Sequence, residues 1–532
     1  MFLRRFVGIK PAAPTAIIPV YFGAMLLIAV FFVGAAYAYH QRFDIPFAQV
    51  VEHRRFFTAD GLLPTIGLFL LAPLIMTFMS YVGWRLWRHL SWRRTRKIFF
   101  STPAPARRQF SRKFFAVATP VVAVGAGVVF AHYVGAIDYF LMQMQPATNF
   151  YEEHYIDPRD VKISFPAHKR NLLVISVESL DAGFLTKADG GAFDDDLLPN
   201  IKKLAAENLN FSQSEKIGGA AQYYGTGWTI AGLLAYFAGV PDTHSWVDLD
   251  PNNEIAKTLA QKFMPGAVAL GDILAANGYR NYYLSGQDAS FAGMDSFFRT
   301  HGNTEIFDYP YFKRAGELPA DYKVEWGFTD HKLYQFAQEK LTKIAAQAEP
   351  FFFTLTTLDT HPLGYLDPQA ERKFPVFIEN VYADADKQLG EFVAWLQQQD
   401  FYADTTVVIW GDHLCNDHRI FPDSFAGKDV HSGYKRMQRI GNGARRPLNI
   451  FINSPLSPKF AKNRQFSHFD IFPTLVEAVG GKIAAPGLGL GRSMSSGEKT
   501  LLEELGYDAV NDQLKRPSRR YDELWINNSG GE

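Results

Sequence analysis

The chain has 532 residues, too many for one compact core, so two or more parts are expected. Lys+Arg and Asp+Glu both number 54, and a formal charge of zero argues against a nucleic-acid partner recognised by bulk charge. Cys415 is the only cysteine, which excludes an intrachain disulfide, a four-cysteine metal site and an iron–sulfur cluster.

Charge is uneven along the chain. Three long stretches lack Asp, Glu, Lys, Arg and His: Pro11–Tyr39, Gly61–Trp84 and Phe114–Ala131. Each is about long enough for a helix to cross a hydrocarbon core of ~30 Å, giving expected spans at about 12–39, 61–84 and 114–137. A buried hairpin would explain one such stretch but explains three in a row poorly. A cleavable signal peptide fits the first badly, because its apolar part is too long. Arg85, Arg88, Arg93, Arg94, Arg96, Lys97, Arg107, Arg108, Arg112 and Lys113 crowd between the second and third, and Arg4, Arg5 and Lys10 precede the first. By the positive-inside rule these segments are cytoplasmic. Residues 1–145 are therefore expected to be a transmembrane region whose partner is the lipid bilayer, with everything after about Tyr139 outside the cytoplasmic membrane.

Residues 146–510 have the composition of a soluble domain. Expected strands are Leu172–Val177, Tyr282–Leu284, Phe351–Leu358, Thr405–Trp410 and Leu448–Ile452. Helical patterns fall between and beyond them at Leu198–Leu209, Leu270–Asn277, His331–Ala346, Ile378–Gln398 and Ile471–Val479. Such alternation predicts an α/β fold, a mostly parallel sheet flanked by helices, with chemistry beyond the C-terminal ends of the strands. Residues 511–532, polar and charged, read as a C-terminal surface tail.

The stretch Gly225–Pro241 starts with two glycines and two threonines and runs into apolar sequence that stops at Gly239 and Pro241. It predicts a loop tipping into a short buried helix, whose first turn offers unpaired N–H groups to an anion. A helix with a threonine cap is the plainer explanation of that stretch alone. Three expected strands finish on side chains suited to metals: Glu178-Ser179, Asp359-Thr360-His361 and Gly411-Asp412-His413. A single carboxylate there is commonly a helix cap, whereas Asp followed by His offers oxygen and imidazole to one cation.

Together these motifs, with Gly225-Thr226-Gly227-Trp228-Thr229-Ile230-Ala231-Gly232 and Ser467-His468-Phe469-Asp470-Ile471-Phe472-Pro473, resemble the membrane-anchored phosphoglycerol transferases. That group lies within the alkaline phosphatase/sulfatase superfamily and includes lipoteichoic acid synthases and transferases that decorate periplasmic glucans. The glucan-modifying branch is resembled most, through the Gly-Thr-Gly-Trp-Thr stretch and Phe291-Ala292-Gly293 to His301-Gly302. The resemblance covers roughly residues 165 to 480. It implies Thr229 as the nucleophile, at the first turn of the apolar helix, with Thr226 as a cap, a phosphate contact or the alternative nucleophile. It implies one divalent cation, Mn²⁺ or Mg²⁺ ahead of Zn²⁺, on Glu178, Thr229, Asp412 and His413. It also implies His361 and His468 beside the substrate phosphate, and more loosely Arg299 at the phosphoglycerol head, where an ordinary surface arginine is the competing reading.

The activity so implied moves phosphoglycerol from phosphatidylglycerol to a periplasmic or cell-surface glycan through a phospho-threonine, releasing diacylglycerol. The implied setting is the bacterial inner membrane, with the catalytic domain outside. A sulfatase would need Cys or Ser with Pro and Arg two and four places on, where this chain has Ala231 and Leu233 after Thr229. Phosphoethanolamine transferases share the threonine and metal set but usually carry disulfides, which a lone Cys415 counts against. That transfer, or hydrolysis of a phosphodiester, is the alternative.

Overall fold

The computed structural model describes residues 144–243, 262–415 (apart from 323, 325 and 363) and 445–526, with a few isolated positions between 125 and 142. They fall almost wholly in one compact unit, Phe140–Glu532. The three expected spans lie essentially outside the described residues, among which no helix is long and apolar enough to cross a membrane.

Eight strands matter here: β1 (Ile163–Ser164), β2 (Asn171–Val177), β3 (Arg280–Ser285), β4 (Glu305–Phe307), β5 (Phe351–Thr356), β6 (Thr405–Gly411), β7 (Asn449–Ile452) and β8 (Lys482–Ile483). Six form one sheet in the order β4-β3-β5-β2-β6-β7, and β1 pairs separately with β8. All neighbours in the large sheet are parallel except β6 and β7, so the expected mostly parallel sheet is correct and Asn449–Ile452 runs against it.

The central strands are apolar on both faces, as a doubly covered sheet requires. Side chains alternate across the sheet. Leu172, Val174, Tyr283, Phe352 and Trp410 face one core. That core also holds residues from α2 (Thr229–Ala238), α3 (Leu270–Ala276) and α6 (His468–Ala478). Leu173, Ile175, Leu284, Phe353 and Ile409 face the other, with residues from α1 (Pro199–Glu207), α4 (Asp330–Ala345) and α5 (Phe377–Leu396). The result is a three-layer α/β/α arrangement.

One expectation is corrected. Residues 511–526 are not a surface tail: α7 (Tyr507–Leu514) and α8 (Arg519–Trp525) bury Val510, Leu514, Tyr521, Leu524 and Trp525 in the first core. The polar composition hides the reason, since Tyr521, Leu524 and Trp525 stand three and four residues apart and so share one helix face. Tyr521 also donates its hydroxyl to the Pro241 carbonyl at 2.8 Å and accepts from the Thr243 amide at 2.7 Å, tying α8 to the chain just past α2.

Strand register aligns the polar ends. Ser176 pairs with Thr356 on one side and Trp410 on the other, and Val177 pairs with Gly411. Glu178, Thr357 and Asp412 therefore emerge at one level of the sheet's C-terminal edge.

Candidate active site

The site begins with the turn after β2. Ser179 has φ 55°, in the left-handed region that a non-glycine residue enters at a cost. The surroundings hold it there: its amide donates to Asp412 Oδ1 at 2.8 Å, and Tyr382 donates its hydroxyl to the Ser179 carbonyl at 2.9 Å. Glu178 is anchored at both backbone ends, its amide donating to Thr357 Oγ1 at 3.0 Å and its carbonyl accepting from Thr360 Oγ1 at 2.6 Å. Its carboxylate is buried, 2 % exposed, and accepts from Ser179 Oγ at 2.7 Å.

Across from it stands α2. Trp228 precedes the helix in extended conformation without a side-chain cap bond, and Gly239 ends it at φ 66°. Thr229, the first helical residue, is thus free of capping duty, and its Oγ1 donates to Glu178 Oε2 at 3.1 Å. The helix comes this close because Gly232 has no side chain: a Cβ there would lie 2.3 Å from the Asp412 carbonyl oxygen. Tyr236 secures the same approach, donating to the Gly411 carbonyl at 2.9 Å and stacking on Trp410 with ring centroids 4.1 Å apart.

Asp412 and His413 complete the group. Asp412 Oδ1 accepts from the amides of Ser179 and His413, both at 2.8 Å. Its Oδ2 is buried with no hydrogen-bond partner among the described residues. His413 faces the Leu414 carbonyl through Nδ1 at 2.9 Å, a bond that in the neutral ring puts the proton on Nδ1 and the lone pair on Nε2. That Nε2 lies 3.3 Å from Glu178 Oε1 and 3.6 Å from Asp412 Oδ2. One ligand atom from each of Glu178, Asp412 and His413 falls within 4.8 Å of the others.

The electrostatics ask for a positive charge at the centre. Burial pulls His413 down, but Asp412 and Glu178 together push it up to about 10. Burial, then the neighbouring Glu178 charge, raises Asp412 to about 8. Burial works against the Glu178 charge too, yet His413 holds it below the usual carboxylate range. Protons balance two buried carboxylates here in the absence of a cation, and a dication does the same while also satisfying the orphaned Oδ2. The donor set of two carboxylates, one imidazole and one hydroxyl fits Mn²⁺, Mg²⁺ or Zn²⁺.

The remaining expected residues fall in different places. His361 is partly exposed at the rim, its Nδ1 3.0 Å from the Pro362 carbonyl, and near enough for its charge to bear on Glu178. His468 is fully buried behind Asp412, Nδ1 3.1 Å from the Ala221 carbonyl and Nε2 3.2 Å from the Asp412 carbonyl. Burial lowers it to about 4, so it is neutral, and both ring nitrogens face backbone rather than an open phosphate site. Thr226 is fully buried and staples its own turn, accepting from the Tyr223 amide at 3.1 Å and donating to the Tyr223 carbonyl at 3.0 Å. Arg299 lies on the surface, 3.9 Å from Asp295 one helical turn earlier.

Supporting residues were not legible from the sequence. Thr357 and Thr360 hold Glu178, Gln222 accepts from the Leu414 amide at 2.7 Å, and Tyr236 holds Gly411. Thr360 and Tyr236 fall inside the motif runs, whereas Thr357 and Gln222 carry no such signal. Asp330 and Asp359 form a second buried pair, each carboxylate accepting from the other's amide at 3.1 Å.

The sulfatase family profile matches residues 170–481. Among curated relatives, a "Phosphoglycerol transferase I" of Xanthomonas axonopodis pv. citri (strain 306) is 29% identical over 389 residues, covering 69% of this chain and 50% of that protein. One of the same name from Xanthomonas campestris pv. campestris (strain B100) is 31% identical over 343 residues, covering 62% and 43%. The chain thus spans about half the length of these relatives or less. A solved lipoteichoic acid synthase from Listeria monocytogenes aligns over 64% of this chain and 78% of its own, at 18% identity and a TM-score of 0.43. With most of the described domain inside the matched range, the chain belongs to the sulfatase family, and its curated relatives carry the name of phosphoglycerol transferases.

Proposed function

We propose that the protein is a membrane-anchored phosphoglycerol transferase that uses Thr229 as nucleophile, phosphatidylglycerol as donor and a glycan hydroxyl as acceptor. The observation that carries this reading is the Thr229 hydroxyl donating to Glu178 at 3.1 Å at the start of a buried helix, beside Asp412 and His413. The names of the curated relatives support the group transferred.

Glu178, Asp412 and His413, with the Thr229 hydroxyl, would hold a divalent cation, which would supply positive charge against the phosphoryl oxygens and make that hydroxyl more acidic. Thr229 Oγ attacks phosphorus, the bond from phosphorus to the diacylglycerol oxygen breaks, and the proton lost by Thr229 ends on diacylglycerol. The first-turn N–H groups of α2 face the charge that develops on phosphorus-bound oxygen. A sugar hydroxyl then attacks the same phosphorus, Thr229 leaves and regains a proton, and phosphoglycerol-substituted glycan departs. His361, at the rim, moves these protons. His468 acts as a positioning residue, its neutral ring wedged between the carbonyls of Ala221 and Asp412. A lipid donor keeps the reaction at the bilayer surface, which is the reason for an anchor in residues 1–145 and a catalytic domain outside the bacterial inner membrane.

The test incubates the purified protein and Mn²⁺ with labelled phosphatidylglycerol or phosphatidylethanolamine. Diacylglycerol from the first donor alone, with label moving to an added glycan, is the expected result. Release from phosphatidylethanolamine alone makes the protein a phosphoethanolamine transferase, and label passing only to water makes it a hydrolase.

A further inference from the structure

Two threonines hold the backbone of Glu178, and the two residues between them are gripped by a carboxylate from outside the catalytic group. The ladders on both sides of β5 end at Thr356. The next three residues are buried, so their amides need partners. Thr357 donates to the Ser176 carbonyl at 3.0 Å. Leu358 donates to Asp330 Oδ1 at 2.7 Å, and Asp359 to Asp330 Oδ2 at 3.1 Å. Asp330 is the first residue of α4, 1% exposed, and its own amide donates to Asp359 Oδ2 at 3.1 Å. The turn closes with the His361 amide on the Leu358 carbonyl at 2.9 Å and the Tyr365 amide on the Asp359 carbonyl at 2.7 Å.

This contact calls for a carboxylate. Two neighbouring amides meet two acceptor oxygens, whereas asparagine would offer one oxygen and turn a donor towards the other amide. The consequence reaches Glu178. Thr357 Oγ1 accepts from its amide, and Thr360 Oγ1 donates to its carbonyl. The separation of those two hydroxyls follows from the conformation of Leu358 and Asp359, the pair that Asp330 grips. Asp330 also stands near enough for the Glu178 charge to act on it.

We infer that Asp330 is a positioning residue for the catalytic group: by fixing Leu358 and Asp359 it spaces the two threonines that hold Glu178 in place as a cation ligand. The inference rests on the reading of Glu178 as a ligand and not on which group is transferred. The test titrates the full-length protein with Mn²⁺ and follows the free-ion electron paramagnetic resonance signal, which needs no turnover. Asp330→Ala should raise the Mn²⁺ Kd about tenfold, and Asp330→Asn, which keeps one acceptor, about threefold. Asp386 supplies the control: 1% exposed, it accepts the Asn200 and Ile201 amides at 3.0 and 2.8 Å and so holds the start of α1 in the same manner. The same substitutions at Asp386 should lower the thermal midpoint comparably yet leave the Kd within about twofold. Thr360→Ala should also weaken Mn²⁺ binding, and adding it to Asp330→Ala should cost little more, because both act through one turn. Where an alanine variant does not fold, Asp330→Asn against Asp386→Asn carries the comparison. No Mn²⁺ binding by the unaltered protein, an unchanged Kd in the Asp330 variants, an equal rise in the Asp386 variants, or full additivity with Thr360→Ala would each overturn the role. If the shifts appear but the unaltered protein releases no diacylglycerol from phosphatidylglycerol, the transferase reading fails and the positioning role stands.

Discussion

The two threonines of the Gly225 stretch differ in what their hydroxyls are doing. Thr226 is committed to both backbone groups of Tyr223, and Thr229 to Glu178. Thr229→Ala is expected to abolish diacylglycerol release with the fold intact by circular dichroism. Thr226→Ala removes two buried hydrogen bonds and should lower stability by about 1–3 kcal/mol while release persists. The reverse pattern would reassign the nucleophile. Sequence spacing alone could not separate them, because a hydroxyl near a helix start caps or reacts according to which side of the first turn it falls. The metal-competent residues were easier to group: Glu178, Asp412 and His413 each follow an apolar run that the sheet buries, and strand register brings those ends to one edge. His468 shows the limit of such reading, its ring nitrogens facing the Ala221 and Asp412 carbonyls. A motif places a residue in the chain, but whether its ring meets open space or backbone carbonyls is decided by packing.

At the level of elements, the helix carrying Thr229 and the strand carrying Asp412 are brought together by missing atoms. Gly232→Ala should push a Cβ into the Asp412 carbonyl, costing about 1–3 kcal/mol and lowering transfer more than it lowers stability. Equal thermal midpoints for the two proteins would show that the backbones separate freely and that this contact does not set the site. The long periodic elements were legible in outline, within a residue or two at most ends. Glu305–Phe307 was not, since three residues are too few to show a period. Nor was the reversed direction of Asn449–Ile452, because a strand buried on both faces carries no directional pattern.

For the whole molecule, pH offers a probe of stability. Burial lifts Asp330 to about 7 and Asp359 to about 9, the latter pushed further by the Asp330 charge. Both folded values exceed the unfolded carboxyl value near 4, so the folded state binds protons more tightly. Their contribution to stability is complete below about pH 4 and is lost as pH rises towards 9. The unfolding free energy, measured by denaturant titration, should fall between about pH 4 and 9 by up to about 1.4 kcal/mol per pH unit for each proton the folded state holds and the unfolded state has released. Asp359→Asn, which cannot ionise, should flatten the curve, and an unchanged slope would place the titration elsewhere. Orientation across the membrane is a second whole-chain property. A reporter fused after Glu532 should be active outside the cytoplasm, and cytoplasmic activity would overturn both the topology and access to an external lipid.

The tie between Tyr521 and Pro241 joins residues 280 positions apart. A ribosome adding roughly 5–20 residues per second reaches Tyr521 tens of seconds after it has finished the Thr229 helix. Throughout that interval an almost wholly apolar helix lacks its final strap, and for the earlier part of it the Asp412 backbone it packs against is missing too. The nascent chain therefore passes through a stage in which the apolar segment carrying Thr229 has yet to meet the residues that bury and strap it.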